Sequence, residues 1–267
     1  MSWSGFKKSM NRTGISLMQG FGAIDKTVDK DFLEREASFK TLQVKAEDLH
    51  RQSRGYLESV RSMAQSQVAV AAHLETFYDP QSPEGKASAE YHQAMLDIES
   101  QALQEFDEAY CETLLNPLGR YCGYIPEFNT AISKRNRKLL DYDQARSKLK
   151  KLSDKTMEDE PRSMQAEQMA EHSQKTYEVL NQQLIDEIPQ FINIRVPYME
   201  PSLEAFLKTQ LKFYDDTYTK LLNVGAKLPA GAHTDGSMGA ADQGVDNEVE
   251  NVLEQMRTLS ICGMSVR

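Results

Sequence analysis

The chain has 267 residues, of which 40% are hydrophobic, 8% aromatic and 27% charged, with a single Trp. Few aromatic residues beside many charged ones are typical of long helices with a narrow apolar stripe, because most of each helix faces water. We therefore expect neither an all-β fold nor a doubly wound α/β fold, but an all-α protein.

The net charge of −9 argues against a nucleic-acid-binding protein, which normally carries a basic excess. Two stretches of the chain are nevertheless basic. Residues 1–22 contain Lys7, Lys8 and Arg12 and no acidic residue. The second basic stretch, residues 134–155, contains Lys134, Arg135, Arg137, Lys138, Arg146, Lys148, Lys150, Lys151 and Lys155. An acidic body with two basic stretches favours oriented contact with an anionic surface, and a solvated helix face is the alternative.

Neither targeting segments nor chemical motifs are evident. No apolar run approaches the roughly 20 residues that cross a bilayer, the first residues lack the apolar stretch of a signal peptide, and three cysteines at no metal-like spacing indicate reduced thiols. The only Glu-x-x-His pair, Glu47 and His50, does not make a di-iron site, which needs two such pairs. We expect a cytosolic protein that is not an enzyme and holds no cofactor or metal.

The first predicted element is a helix from Ile24 to Tyr78, ended by the segment DPQSPEG. Its apolar and small residues alternate at spacings of four and three, as in a coiled coil, and its length of some 55 residues spans roughly 80 Å. We predict that this row is a seam covered by a second subunit. The predicted dimer seam consists of Leu42, Leu49, Tyr56, Val60, Met63 and Leu74.

Two further long helices are predicted, from about Gly85 to about Glu158 and from Pro161 to about Val224. The second should bend near Pro117, Gly119, Gly123 and Pro126, and the third contains Pro189, Pro197 and Pro201. Three long antiparallel helices with so few large apolar side chains cannot cover all their seams alone, so we expect an obligate dimer in the form of a crescent.

The two ends of the chain are predicted to differ from this body. Residues 225–245 are rich in Gly, Ala and Asp and indicate a flexible linker, and residues 246–267 contain a short amphipathic helix. On a helical wheel, residues 1–22 place large apolar side chains in one narrow wedge, with Lys8 and Arg12 pointing away. These predicted membrane-inserting residues are Trp3, Phe6, Met10, Leu17 and Phe21. Docking of this stripe on the protein's own body, or on a partner, is the alternative.

Three segments carry a family resemblance: MSWSGFKKSMNRTGISLMQ at the start, DKTVDKDF at 25–32, and KRNRKLLDYDQAR at 134–146. Over residues 1–224 the chain resembles the N-terminal BAR domain (N-BAR) proteins of the amphiphysin and bridging-integrator group. It looks most like the fungal short forms, which end after the BAR domain. The resemblance implies a crescent-shaped dimer of bent three-helix coiled coils over residues 23–224, whose concave face binds anionic membrane.

The resemblance also implies which residues meet lipid. Lys134, Arg135, Arg137 and Lys138 match the basic stretch of the concave side, while Lys7, Lys8 and Arg12 belong to the N-terminal helix. The basic tip between the second and third helices is matched by Lys148, Lys150, Lys151, Lys155 and Arg162. No Src-homology-3 domain follows, which favours a heterodimer with a longer BAR protein that carries one; a homodimer is the alternative.

These observations predict a peripheral membrane protein that dimerises and senses or generates curvature in endocytosis and cortical actin organisation. Its expected partners are anionic phospholipid membranes and, indirectly, actin cytoskeleton regulators, with no nucleic acid. It is expected in the cytoplasm, at the plasma membrane, cell cortex and actin patches. The alternative is a helical cytoskeletal scaffold whose basic stretches bind acidic proteins, and vesicle binding separates the two hypotheses.

Overall fold

A computed structural model describes residues 12–14, 19, 26–153, 160–227 and 243–258, and within these ranges the protein is helical with no β-strand. The predicted all-α fold is confirmed. The helices are α1 (Lys30–Phe77), α2 (Pro83–Asp97), α3 (Leu103–Tyr110), α4 (Asn116–Gly123), α5 (Ile125–Ser153), α6 (Glu160–Gly225) and α7 (Gln243–Thr258). Two π-helical turns, Ile98–Ala102 and Cys111–Leu115, join α2 to α3 and α3 to α4.

The start of α1 lies six residues later than predicted because Asp29 caps it. Asp29 has extended backbone angles, and its carboxylate accepts a hydrogen bond from the Phe32 amide at 3.0 Å. At the other end the chain turns through residues 78–82, and the Ser82 hydroxyl accepts from the Gly85 amide at the start of α2. Gly85 is required there, since a Cβ would lie 2.0 Å from the carbonyl oxygen of Asp79.

The π turns keep one stripe of the second long helix directed inward. Six of its buried apolar residues follow one another at intervals of four, whereas an α-helix of 3.6 residues per turn would rotate such a row by about 40° at every step. Each π turn takes up extra residues and cancels part of that rotation. The residues kept on the inner side are Ile98, Ala102, Phe106, Tyr110, Leu114 and Leu118.

The second long helix is interrupted where Gly and Pro predicted a bend. α4 ends at Gly123, Tyr124 forms a turn, and α5 begins at Ile125 with Pro126 in its first turn. By contrast, α6 continues through Pro189, Pro197 and Pro201 as one helix. α5 then packs along α6 and against the N-terminal part of α1, where Phe39 contacts Phe128.

The core is a line of clusters along the helices. At about 1.5 Å per residue, the 48 residues of α1 span about 72 Å and the 66 residues of α6 about 99 Å. A compact chain of this length has a radius of gyration of about 18 Å, so the body is elongated. One cluster is built around Phe32, Phe39, Ile132 and Ile188, the next around Leu57, Phe106, Tyr110 and Phe213, and the third around Ala71, Met95 and Ile98.

The predicted seam of α1 divides between the inside and the surface. Val60 is buried in the protein's own core, Tyr56 contacts the rings of Phe106, Tyr110 and Phe206, and Leu42 packs against the cluster around Phe39. Assigning Val60 to a dimer seam was wrong, because the protein's own helices bury it. Tyr56 and Leu42 are half-buried, and their place in a dimer seam stays a prediction. The remaining members are exposed: Leu49, Met63 and Leu74.

Candidate functional site

The basic stretch predicted to meet lipid lies on α5. Lys134 and Arg137 are exposed and Lys138 is half-exposed, and their spacing of three and four residues places them on one face of the helix. In the described part of the chain, no acidic residue forms an ion pair with any of the three. The face is flanked by an open polar groove, lined by Asn129, Thr130, Ser133, Asn136 and Arg137. It therefore offers three cationic side chains to an anion.

The other predicted lipid contacts fall at the end of α5 and the start of α6. Lys148, Lys150, Lys151 and Arg162 are all exposed there. Lys155 lies outside the described residues, as do Lys7 and Lys8 and the predicted membrane-inserting residues Trp3, Phe6, Met10, Leu17 and Phe21. The linker of residues 225–245 also falls largely outside them. For these residues the sequence-based predictions stand as predictions.

Arg135 does not belong to the exposed face, and its assignment to lipid was wrong. Only 3% of the residue is exposed. Its guanidinium donates to the Asn181 side chain at 2.7 Å and the Tyr177 hydroxyl at 2.9 Å, lies 3.5 Å from Asp29, and covers the Phe32 ring at 3.8 Å. The positive charge of Arg135 is thus paired inside the protein. The Arg135 side chain joins the start of α1 to α5 and α6.

Asp29 is the acidic partner in this buried network. Burial alone would raise the pKa of Asp29, but hydrogen bonds from the Phe32 amide and the Asn181 side chain, with the charge of Arg135, hold it below its usual value of 3.8. A carboxyl group whose pKa is lower in the folded chain stabilises the fold above the unfolded pKa. This contribution is therefore present above about pH 4 and is lost as the pH falls through the folded pKa.

We expect Arg135→Ala to destabilise the protein by about 3 kcal/mol, because removing one partner leaves the other buried polar groups unsatisfied. Arg137→Ala, two residues along the same helix, is the matched control and should change stability by less than about 0.5 kcal/mol. Urea unfolding at a fixed protein concentration measures both. Equal midpoints for Arg135→Ala and wild type would contradict the structural role.

Two aspartates on α5 bind described residues that precede α1 in the chain. Arg12 donates through Nε and Nη2 to the two carboxylate oxygens of Asp141, at 2.8 and 2.7 Å. Asp143, which is 1% exposed, accepts from the Gln19 side chain at 2.8 Å and from the Thr27 hydroxyl at 2.6 Å. Arg12, predicted to meet lipid, is thus bound to an acidic residue of α5 in this structure.

Sequence reasoning missed these anchoring residues, although one signal was available. The helical period that directs Ile132 and Leu139 inward also places Arg135 on that side, since it lies three and four residues from them. Counting Arg135 with the basic stretch ignored its position. Asp141 and Asp143 carried no comparable signal, because their partners are more than a hundred residues away in the chain.

Large apolar side chains are exposed along α1 and along the C-terminal half of α6. α1 exposes Leu49, Met63, Val70, Leu74 and Phe77. The C-terminal half of α6 exposes a row of large apolar residues at spacings of three and four: Leu203, Leu207, Leu211, Tyr214, Tyr218 and Leu222. A row of this length is far more than the scattered apolar residues of an ordinary monomer surface.

Comparison with known proteins identifies the family. The model of the BAR domain matches residues 6–229. The chain belongs to the BAR domain family. This BAR domain protein is similar to Protein hob3 of Schizosaccharomyces pombe, with 39% identity over 99% of both chains. It is also similar to the Regulator of cytoskeleton and endocytosis RVS161 of Candida albicans, with 34% identity over 99% of both chains.

A solved structure supports the same assignment. The amphiphysin BAR domain from Drosophila superimposes with a TM-score of 0.63 and 27% identity, covering 76% of this chain and 94% of that one. The family expected from the three sequence segments is therefore confirmed. Among the described residues, no helix of this BAR domain protein combines the length and apolar character needed to cross a bilayer.

Proposed function

We propose that this BAR domain protein is a non-enzymatic peripheral membrane protein that dimerises, binds anionic phospholipid and senses or generates curvature during endocytosis and cortical actin organisation. The observation that carries the proposal is the exposed cationic face of α5, with Lys134, Arg137 and Lys138 free of acidic partners in the described chain. The name of the Candida albicans relative, a regulator of cytoskeleton and endocytosis, supports the cellular setting.

The charge on this face is sufficient for membrane attachment. A Lys or Arg beside an anionic leaflet contributes about 1 kcal/mol, so three residues in each of two subunits contribute about 6 kcal/mol before screening by salt. Each 1.4 kcal/mol is a tenfold change in affinity, which makes this about four orders of magnitude. The exposed residues at the end of α5 would add to it, while the acidic remainder of the protein directs the orientation.

The test is co-sedimentation with vesicles that differ only in headgroup charge. Vesicles with phosphatidylserine or phosphoinositide should bind the protein, and neutral phosphatidylcholine vesicles should not. Equal binding to both would refute electrostatic recognition. Binding to neither, together with binding to an acidic cytoskeletal protein, would favour the scaffold alternative.

Dimerisation through the exposed apolar rows of α1 and α6 is part of the proposal. Burying a Leu side chain contributes about 1.5–3 kcal/mol, and each subunit presents several. Such a surface in water favours association, and a twofold axis would let the same rows cover each other. The second subunit is either another copy of this chain or a longer BAR protein, and identifying the chain that co-purifies from the native cytosol decides between them.

We expect Leu207→Asp combined with Leu211→Asp to convert the dimer into a monomer, because four charges would enter an apolar interface. Analytical ultracentrifugation should show wild type near 60 kDa and the variant near half that mass, both strongly helical. Val179→Asp is the control, since Val179 is equally exposed on α6 but lies outside the row. If the wild-type protein sediments as a stable monomer at micromolar concentration, the proposed dimer is contradicted.

A further inference from the structure

The interruption of the second long helix lies beside the proline-containing part of α6. At the interruption, the Tyr124 amide donates only three residues back, to the Tyr121 carbonyl at 3.3 Å, and Pro126 has no amide proton to donate. In α6, Pro189 and Pro197 donate nothing either, so the carbonyls four residues before them lack their helical partners. Backbone hydrogen bonds alone therefore do not fix the direction in which α5 leaves α4.

Aromatic side chains of both helices meet at this level, around the Phe191 ring of α6. From α4, the Tyr121 ring stacks on Phe191 with 4.7 Å between the ring centroids and an angle of 7° between the planes. From α5, beyond the interruption, the Phe128 ring lies 4.6 Å from Phe191 and 5.4 Å from Phe39 of α1. Because aromatic pairs are stable over centroid distances of about 4.5–7 Å, rings in contact can slide past each other. Ring contacts alone therefore leave the angle between α4 and α5 adjustable.

Two tyrosine hydroxyls connect the helices at fixed points. The Tyr121 hydroxyl of α4 donates to the Phe191 carbonyl at 3.1 Å. In the opposite direction, the Tyr198 hydroxyl of α6 donates to the Pro117 carbonyl of α4 at 3.2 Å. Burial raises the pKa of Tyr121 to about 12, so this hydroxyl keeps its proton at neutral pH. The two bonds are attached about one turn apart on α4 and about two turns apart on α6, so together they oppose both sliding and rotation of one helix on the other.

We propose that Tyr121 and Tyr198 are positioning residues for curvature: their hydroxyls fix the direction of α5 relative to α4, and this direction sets the diameter of the membrane tubules that the dimer forms. α5 carries the cationic face of Lys134, Arg137 and Lys138, so its direction decides where each subunit meets the bilayer. The 29 residues of α5 span about 44 Å, so a small rotation at the interruption becomes a displacement of several ångströms at the far end. This inference rests on the proposed membrane function, but its first test requires no membrane.

Tyr121→Phe combined with Tyr198→Phe removes both hydroxyls and keeps both rings. In hydrogen–deuterium exchange of the lipid-free protein, the amides of residues 122–130 should exchange about fivefold faster for each bond lost. Tyr124→Phe is the matched control, because Tyr124 lies at the interruption, is exposed, and has no hydrogen-bond partner for its hydroxyl in the described chain. The control should exchange as wild type does. Equal exchange in all three proteins, or a uniform acceleration along every helix of the double variant, would overturn the positioning role.

Tubule diameter tests the consequence for the membrane. The double variant should bind phosphatidylserine vesicles as tightly as wild type, because the cationic face of α5 is unchanged. By electron microscopy its tubules should be wider and more variable in diameter, since a dimer with a less constrained α5 yields to the bending resistance of the bilayer. Tyr124→Phe should give tubules of wild-type diameter. Tubules of unchanged diameter in the double variant, or equally wide tubules in the control, would overturn the assignment of these two hydroxyls to curvature.

The two single variants rank the hydroxyls. Tyr121 is 5% exposed and Tyr198 is 40% exposed, so water competes more for the second bond, and Tyr121→Phe should have the larger effect on exchange and on diameter. The reverse order would contradict the roles assigned here. If wild type forms no tubules while the double variant still exchanges faster at residues 122–130, the positioning of α5 stands, and its consequence for curvature fails together with the proposed membrane function.

Discussion

Replacing Lys134, Arg137 and Lys138 together by Glu is expected to abolish binding to phosphatidylserine vesicles while leaving helicity and dimerisation intact. The three side chains lie on one exposed face of α5 and have no acidic partner within the described chain, so folding does not depend on them. Reversal changes each contribution of about 1 kcal/mol from attraction to repulsion, in both subunits. Measured by co-sedimentation, the affinity for phosphatidylserine vesicles should fall by at least a hundredfold.

The matched control spreads the same charge change over the molecule. Lys45, Lys86 and Lys175 are exposed on α1, α2 and α6, and their combined replacement by Glu should weaken binding far less. Wild-type binding should also decline as salt rises from low to several hundred millimolar, since the Debye length shortens to a few ångströms. Loss of binding in the control equal to that in the α5 variant would show that net charge, and not this face, attracts the membrane.

The elements of the fold were predictable because each long helix repeats its apolar residues over many turns. The repeat could not show what covers them. Val60 and Met63 stand three residues apart on α1 and are equally apolar, yet Val60 is buried by the protein's own helices and Met63 is exposed. Only the positions of the other helices decide between an internal core and an interface, and those positions are a tertiary property.

In the second long helix, the sequence pattern also fails to show which residue faces the core. A pattern read at 3.6 residues per turn places Ala109 on the apolar stripe, but Tyr110 occupies the core and its hydroxyl donates to the carbonyl of Ser53 at 2.9 Å. The π turn before α3 takes up one extra residue and so shifts the stripe from Ala109 to Tyr110. Nothing local in the residues of this turn marks it, because packing against α1 and α6 selects it.

For the candidate site, composition identified the basic stretch but not the task of each residue in it. Arg135 and Arg137 are two positions apart in one basic run, and one stabilises the fold while the other faces solvent. A buried guanidinium needs partners from several elements, here Asp29, Tyr177 and Asn181, and these come together only in the folded chain. A basic run therefore predicts a surface only after its inward-facing members are removed.

The largest effect on curvature, as opposed to attachment, is expected from Phe6→Glu. Phe6 belongs to the apolar wedge predicted for residues 1–22, and burying it with Trp3 and Met10 at the acyl boundary contributes about 1.5–3 kcal/mol each before the segment is ordered. Insertion also adds area to one leaflet only. A glutamate in the wedge opposes burial, so tubule formation should fall sharply by electron microscopy, and Trp3 fluorescence should no longer shift to the blue on adding lipid.

Attachment should persist in the same variant, because the electrostatic contact that we propose for the cationic face of α5 does not need the wedge. Much of the low-salt vesicle binding of Phe6→Glu should therefore remain, and this separates it from the charge reversal on α5, which removes binding and tubules together. Ser9→Glu adds the same charge outside the wedge of the helical wheel and should form tubules much as wild type does. If Phe6→Glu forms tubules as well as wild type, the alternative holds, in which the apolar stripe docks on protein and not in the membrane, and curvature would have to come from the dimer alone.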